Sequence, residues 1–554
     1  MNKNPYLNQV IANISSKGNS IFSRFIHRGE ELVVTWNALG RLSSFYCEQF
    51  CKLEISQGSV ALIFLKHSTS LYGSFLGAMF AGITPSFMPC LSPKQDPKIY
   101  WKSHKTLFET IRPSVIVADQ ITIKEMMESG IEIDKIHLIL ALDDLSLANE
   151  NQIALSLERS NFESIAFLQH SSGTTGLKKG VKLPYDSVLN QVVSYSESIS
   201  LTCNDQIVTW LPLYHDMGLI TGFIIPLYVG SPIIHMDPFA WVARPTILMD
   251  YITKYQTTFC WLPNFAFKHL ANSITRSNAS YDLSSMRAFI NCSEVCTPEA
   301  FDEFYGACKN FNLDANSLQC CYAMAETVYA VTQTHLGATP KRISINPTNA
   351  KVGGYVIASD DSDGMKEVIE VGSVIKGCNI CIYDNLNELE PGFAGEIGIK
   401  ADFLFDAYNH QPELTSQKLK NNVYFTGDIG FIWHDSLYVL GREDDVVVIN
   451  GRNIYSAEVE QILSSVVGLK PGRAIAIGRY YEQVGSMCLV IVAEKSQGFV
   501  SIEKVRREII HLLHSSLNIA PKEIFFVEDG WLIKTTSGKI SRKENVLKLD
   551  ELMV

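Results

Sequence analysis

The sequence predicts an α/β protein. A large N-terminal domain of mixed and parallel sheets flanked by helices carries a β-rich subdomain, and a small α+β C-terminal domain follows. Three observations predict this. Short apolar runs alternate with helical stretches early in the chain, as where Ser59-Val-Ala-Leu-Ile-Phe-Leu65 precedes the Gly/Ala-rich span from Tyr72 to Gly82; such alternation gives parallel sheets covered on both faces. From Gly372 to Gly398 the pattern turns to short β runs broken by Gly and Pro, the signature of antiparallel pairing. The chain has 554 residues, too many for one hydrophobic core.

In chain order, Trp36, Leu39, Leu42, Phe45, Tyr46 and Phe50 recur at helical spacing, so Trp36 to Phe50 is a helix. Ser114 to Ala118 and Ile136 to Leu142 are further buried strands, the second leading into an acidic, Asn-rich loop from Asp143 to Gln152. Ile165-Ala-Phe-Leu168 is another strand. The polar loop after it leaves from a strand's carboxyl end, where open α/β sheets bind ligands. Trp210-Leu-Pro-Leu-Tyr-His-Asp-Met-Gly-Leu219 presents Tyr214, His215 and Asp216 in apolar surroundings; a helix start capped by Asp216 is the structural alternative. Trp261 to Phe267 opens a helix, and the runs Ala288 to Glu294 and Gln319 to Thr327 are strands ending in polar groups. Those ends can converge at one sheet edge. Asn379 to Tyr383, Pro391 to Ile399, Tyr424 to Gly430 and Leu437 to Arg442 supply the β-rich part. Glu443-Asp-Asp445 is a compact charged joint, which divides the chain into domains 1–442 and 443–554. The second domain reads as a β run (Val446 to Ile449), a helix (Ala457 to Val467), a strand (Met487 to Ala493), an amphipathic helix (Ile502 to Leu517) and a polar turn from Lys534 to Ile540.

Composition excludes several classes. Lys+Arg 47 against Asp+Glu 58 gives a net charge of −11, and an acidic chain with no long basic run is not expected to bind nucleic acid. The first residues lack the apolar core of a signal peptide. The most apolar window, Leu219 to Ile234, is interrupted by Pro226, Gly230 and Pro232, so no membrane span is expected. Thirteen scattered cysteines show no metal spacing. The lone Cys378-Asn-Ile-Cys381 reads as two thiols of a strand, and the whole as a reduced, cytoplasmic protein.

Leu168-Gln-His-Ser-Ser-Gly-Thr-Thr-Gly-Leu-Lys-Lys-Gly-Val181 gathers hydroxyls, glycines and lysines. Glycines let backbone N–H groups approach an anion, hydroxyls add donors and Lys179 adds a point charge. That combination suits a polyphosphate, though these residues do not fit the Walker pattern. Read alone, a polar surface turn carrying two lysines is the structural alternative.

Taken together, the motifs resemble the adenylate-forming superfamily of acyl-CoA synthetases, luciferases and peptide-synthetase adenylation domains. Besides the Ser/Thr/Gly loop with Lys179, the resemblance rests on Tyr322-Ala-Met-Ala-Glu326, Thr426-Gly-Asp428, Gly441-Arg442 and Ser537-Gly-Lys539, in that order. Within the superfamily the chain is most similar to the fatty acyl-AMP ligases, through Trp210 to Leu219, Pro263-Asn-Phe-Ala266, Gly451-Arg-Asn-Ile-Tyr455 and Leu469-Lys-Pro-Gly472. It departs from that branch at His170, Ala323, Ser456 and Asn291-Cys-Ser-Glu294, which marks a divergent subgroup and bears on acyl specificity more than on adenylation.

The resemblance implies a small mobile C-terminal domain with the site between the domains. ATP and Mg²⁺ are the implied cofactors. Ser171, Ser172, Gly173, Thr174, Thr175, Gly176 and Lys179 would hold the phosphates, and Glu326, with Thr175, would meet Mg²⁺. Tyr322 would stack on adenine, Ser293 and Glu294 would line the base, Asp428 would accept the ribose hydroxyls and Arg442 would reach ribose or phosphate. Lys539 would bridge the α-phosphate and the substrate carboxylate, and His215 would orient that carboxylate. Trp210, Asn264 and Met324, with Trp261 and Phe265, would line an apolar acyl pocket, and Asp444 would be the hinge. By residue type alone Glu326 is also a helix cap or solvated acid, Tyr322 a core tyrosine, Lys539 a solvated lysine and His215 a satisfied histidine beneath a helix. The implied activity is conversion of a carboxylic acid to an acyl-adenylate, then transfer to the phosphopantetheine thiol of an acyl carrier protein or a synthetase carrier domain. The span Gln333 to Val371 is read as the insertion of that branch. A coenzyme A ligase of the same fold and a non-catalytic nucleotide-binding scaffold are the alternatives.

Overall fold

Alternating apolar runs and helices do build parallel sheets here. The computed structural model describes residues 4–27, 29–91, 97–142, 155, 164–171, 179–357, 365–449, 452–481, 486–499, 501–517, 519–534 and 540–553. The run at Val60–Phe64 pairs in parallel with Thr84–Phe87 and Val115–Ala118, and Val115–Ala118 with His137–Leu140. The helices Trp36–Cys51 and Ser70–Phe80 lie where the periodicity puts them. A second, nine-stranded sheet has a parallel centre: Ile21–His27, Ile233–Met236, Ile207–Thr209, Phe259–Leu262, Ala288–Asn291 and Leu318–Ala323. Its central strands Ile207–Thr209, Ile233–Met236, Phe259–Leu262 and Ala288–Asn291 are buried along their length, as sheets covered on both faces require.

The β-rich part is antiparallel, as its Gly and Pro spacing predicts. Cys378–Asp384, Gly395–Ala401, Val423–Trp433 and Ser436–Arg442 form successive pairs. Arg342–Ile345 and Lys366–Ile369, within the span read as an insertion, pair as a small two-stranded sheet. The acidic loop from Asp143 to Gln152 lies outside the described residues.

One expectation is corrected. Ile165–Ser171 does not belong to a parallel sheet. It pairs antiparallel with Lys179–Pro184, which pairs in turn with Ala407–Tyr408. The Ser/Thr/Gly loop therefore joins the two strands of a hairpin. Apolar periodicity reports burial and not pairing direction, so the run alone did not distinguish the two.

Beyond Val446 the chain builds apolar clusters of its own, one of which centres on Val459, Ile491, Ile509 and Leu513. The helix Ile502–Leu517 buries Val505, Ile509 and Leu513. Tyr455 instead points back. It packs among Ile345, Ala350, Tyr438 and Leu440, and its hydroxyl donates to the Ala350 carbonyl at 3.4 Å. A Cβ at Gly441 would stand 2.5 Å from its ring, so glycine is what lets the ring seat there. Lys366 pairs with Glu458, and Gln461 bonds Glu299 at 3.4 Å. The turn Glu443–Asp445 is tied to the tail by Arg542, whose guanidinium bonds Asp445 at 2.8 Å and also pairs with Glu460.

Candidate active site

Asn291 lies opposite Cys320 in the parallel register, so Ser293, Glu294 and Tyr322 leave the sheet at the same edge. The chain then turns sharply at Ala325–Thr327, and Val328 adopts a φ of 62°. A β-branched residue rarely does so. This turn presents Glu326 and sends Ala330–Gln333 back antiparallel to Leu318–Ala323.

Two polar groupings meet there. In the first, Tyr322 donates its hydroxyl to Asp428 Oδ2 at 2.6 Å. Arg442, directly across the sheet from Asp428, brings Nε to 3.2 Å from Oδ1, and its guanidinium also donates to the Thr426 carbonyl at 3.3 Å. Burial would lower the Arg442 pKa, but Asp428 together with Tyr322, Tyr424 and Asp445 outweighs it and holds the guanidinium above its ordinary value. Burial, then Asp428, pushes the Tyr322 phenol up, so it stays a proton donor. In the second grouping, Tyr408 donates to Glu326 Oε1 at 2.7 Å, and Lys179 Nζ lies 5.4 Å from the centre of the Tyr408 ring. Tyr424 stands within electrostatic reach of both Glu326 and Asp428, so the groupings form one cluster.

On the other side, His215 stands just before the short helix Asp216–Leu219, with Nδ1 2.6 Å from Asp216 Oδ1. Ser293 approaches Met217 Sδ at 3.8 Å. The tight turn depends on Gly218, because a Cβ there would sit 2.3 Å from the Pro212 carbonyl oxygen. Glu294 receives the Phe265 N–H at 3.0 Å, so its carboxylate caps the helix Asn264–Thr275. Lys534, bridged to Ile540, lies near Glu294. Burial and the neighbouring Arg473 pull the Lys534 pKa down to about 8, against the carboxylates of Glu494 and Glu294.

The structure thus brings together Lys179, Tyr322, Glu326, Asp428 and Arg442, and places His215, Ser293 and Glu294 around the facing turn. Ser171 ends its strand opposite Lys179. Ser172, Gly173, Thr174, Thr175, Gly176 and Lys539 lie outside the described residues, as does the Asp444 side chain. Of the acyl-pocket residues, Trp210 stacks flat on Trp241, centroids 3.7 Å apart. Asn264 is occupied by structural bonds: Oδ1 accepts from Asn291 at 2.7 Å and from the Thr297 N–H at 3.2 Å. Met324 packs half-buried against the main core. Sequence reasoning missed Tyr408. It carries no motif, and only its pairing beside Lys179–Pro184 brings it to Glu326.

Residues 19–409 match the family described as AMP-binding enzyme. The chain belongs to the AMP-binding enzyme family. This AMP-binding enzyme is 25% identical over 512 residues to the medium-chain-fatty-acid–[acyl-carrier-protein] ligase JamA of Moorena producens, covering 88% of this chain and 85% of that one. It is 28% identical over 431 residues to the probable long-chain-fatty-acid–AMP ligase FadD30 of Mycobacterium tuberculosis, covering 73% of each chain. Its fold is that of a fatty acyl-adenylate ligase from L. pneumophila solved with acyl adenylate and pyrophosphate, with a TM-score of 0.75 at 24% identity over 99% of this chain and 98% of that one.

Proposed function

We propose that this AMP-binding enzyme activates a fatty acid as its acyl-adenylate and passes the acyl group to the phosphopantetheine thiol of a carrier protein. A carboxylate oxygen attacks the α-phosphorus of ATP, an acid–phosphate bond forms and pyrophosphate departs. The thiol sulfur then attacks the acyl carbon and AMP leaves. The observation that carries this reading is the single cluster of Tyr322, Asp428, Arg442, Glu326 and Lys179. It offers an acceptor and a cation at one end for a ribose, and a carboxylate and a lysine at the other for a phosphate chain. Relatives named as fatty-acid–AMP and acyl-carrier-protein ligases support the choice of acid and acceptor.

The donor set fits Mg²⁺. Among the described residues no cluster of three or more His, Cys, Asp or Glu side chains could hold an ion. A hard cation that arrives with its nucleotide needs only one or two carboxylates besides phosphate oxygens and water, and Glu326 is a nearly buried carboxylate facing the site. Mg²⁺ there would neutralise charge on the phosphates. Within this reading Lys539 bridges the carboxylate and the α-phosphate, and the domains divide at Glu443–Asp445 with Asp444 as hinge. All thirteen cysteines are free, which suits a reducing, cytoplasmic compartment. Among the described residues no helix is long and apolar enough to cross a membrane.

Pyrophosphate exchange into ATP, run against a panel of carboxylic acids, tests the first step. Exchange that depends on a fatty acid is expected, and Lys539→Ala is expected to abolish it without changing the melting temperature. Full exchange in that variant removes the lysine's role. Offering coenzyme A and phosphopantetheinylated carrier protein side by side identifies the acceptor; efficient acyl-CoA formation overturns the carrier assignment.

A further inference from the structure

Glu326 is gripped by one short segment. The Phe405 N–H donates to its carbonyl at 2.8 Å, and the Tyr408 hydroxyl donates to Oε1 at 2.7 Å. Tyr408 is fixed in turn. Its backbone pairs with Val181, two residues along the strand from Lys179. Its ring packs 4.8 Å from Phe405, and Tyr424 stands within electrostatic reach of it. Because Tyr408 commits its only proton to the carboxylate, the Tyr424 O–H is the one that can turn toward the Tyr408 oxygen. Both rings are buried. The result is a buried row, Tyr424 beside Tyr408 and Tyr408 bonded to Glu326 Oε1. Among the described residues no side chain bonds Oε2.

We propose that Tyr408 is a positioning residue that commits one oxygen of Glu326 and thereby aims the other at the Mg²⁺ accompanying ATP, with Tyr424 bracing it. A carboxylate free to rotate would present either oxygen, or both, and lose the single orientation that a near-octahedral ion favours. The same ring carries Lys179, so one side chain sets the spacing between the phosphate-side cation and the metal-side carboxylate. This inference rests on the reading of Glu326 as the carboxylate that meets Mg²⁺.

Calorimetric titration of the full-length protein with ATP, in Mg²⁺ and in EDTA, tests it without recourse to activity. Tyr408→Phe keeps the ring and its contact with Lys179 and removes only the hydroxyl. The expected result is metal-free ATP affinity close to wild type and a loss of about tenfold in the affinity gained from Mg²⁺. Glu326→Gln is expected to lose that gain altogether. If Glu326→Gln loses the gain and Tyr408→Phe keeps it, the positioning role falls while the reading of Glu326 stands. If Glu326→Gln keeps the gain, both fall. Should Tyr408→Phe fail to fold, Tyr424→Phe decides the matter: a loss of about threefold in the Mg²⁺ gain is expected, and an unchanged gain overturns the proposal.

Discussion

Asp428 has both oxygens engaged before any ligand arrives, one by the Tyr322 hydroxyl and one by the Arg442 guanidinium. A carboxylate so placed is oriented and charged, which is what a pair of ribose hydroxyls needs from an acceptor. Asp428→Asn keeps the shape and removes the charge, leaving Arg442 without its counter-ion. Hydrogen bonds accepted by a charged group contribute about 1.5–3 kcal/mol, and the neutral amide gives up that charge toward the ribose hydroxyls, so ATP affinity is expected to fall at least severalfold with little change in catalysis at saturating ATP; a nucleotide titration checks this. Tyr322, Glu326, Asp428 and Arg442 were legible in the sequence because each stands in a short motif with Gly or an aromatic at fixed offset. Tyr408 was not. Its significance comes from a strand pairing that joins residues far apart in the chain, and no local pattern reports that. Asn264 shows the reverse case. Its position in a motif was visible, but its hydrogen bonds to Asn291 and Thr297 were not.

At the scale of elements, the helices and most strands lay where periodicity put them, because burial on one face or both is what periodicity measures. Pairing direction was less accessible, and the hairpin of Ile165–Ser171 with Lys179–Pro184 is the example. The turn from Pro212 to Leu219 could be read as a turn, but why it carries Gly218 becomes apparent only when the Pro212 carbonyl is seen against its Cα. Gly218→Ala must push these backbones apart. Overpacking of this kind costs about 1–3 kcal/mol, and the displaced turn carries His215 and Asp216. The variant is expected to melt earlier than wild type and to lose adenylation by more than its melting temperature alone would account for, measured well below that temperature.

Across the whole molecule, the core contains groups that titrate with folding. His235 is fully buried in the nine-stranded sheet; Nε2 lies 3.3 Å from the Leu211 carbonyl, so the Tyr72 hydroxyl, 2.7 Å from Nδ1, is the donor there. Burial holds the His235 pKa down at about 4. The unfolded chain takes up a proton near pH 6.5, so it binds more protons than the folded state between about 6.5 and 4. Stability therefore falls as pH drops through that window, by up to roughly 3 kcal/mol from this residue. His235→Gln cannot titrate and is expected to lose less between pH 7 and pH 4.5 in denaturant midpoint. Equal losses in the two proteins would exclude the histidine as the source.

The ring of Tyr455, seated on Gly441 and capped by the Ala350 carbonyl, acts on the molecule as a detent acts on a wheel. Any swing of the tail part about Glu443–Asp445 that carries Tyr455 along must first lift that ring into water. Exposing an aromatic side chain of this size costs about 1.5–3 kcal/mol, which would bias a swung form against the seated one by roughly 10- to 150-fold. Such a well is deep enough to keep one orientation through many thermal collisions and shallow enough to be escaped without help from a second nucleotide. Its depth is set by one ring and one missing methyl group, so any such swing would be weighted at the rim of the joint, away from the atoms that react.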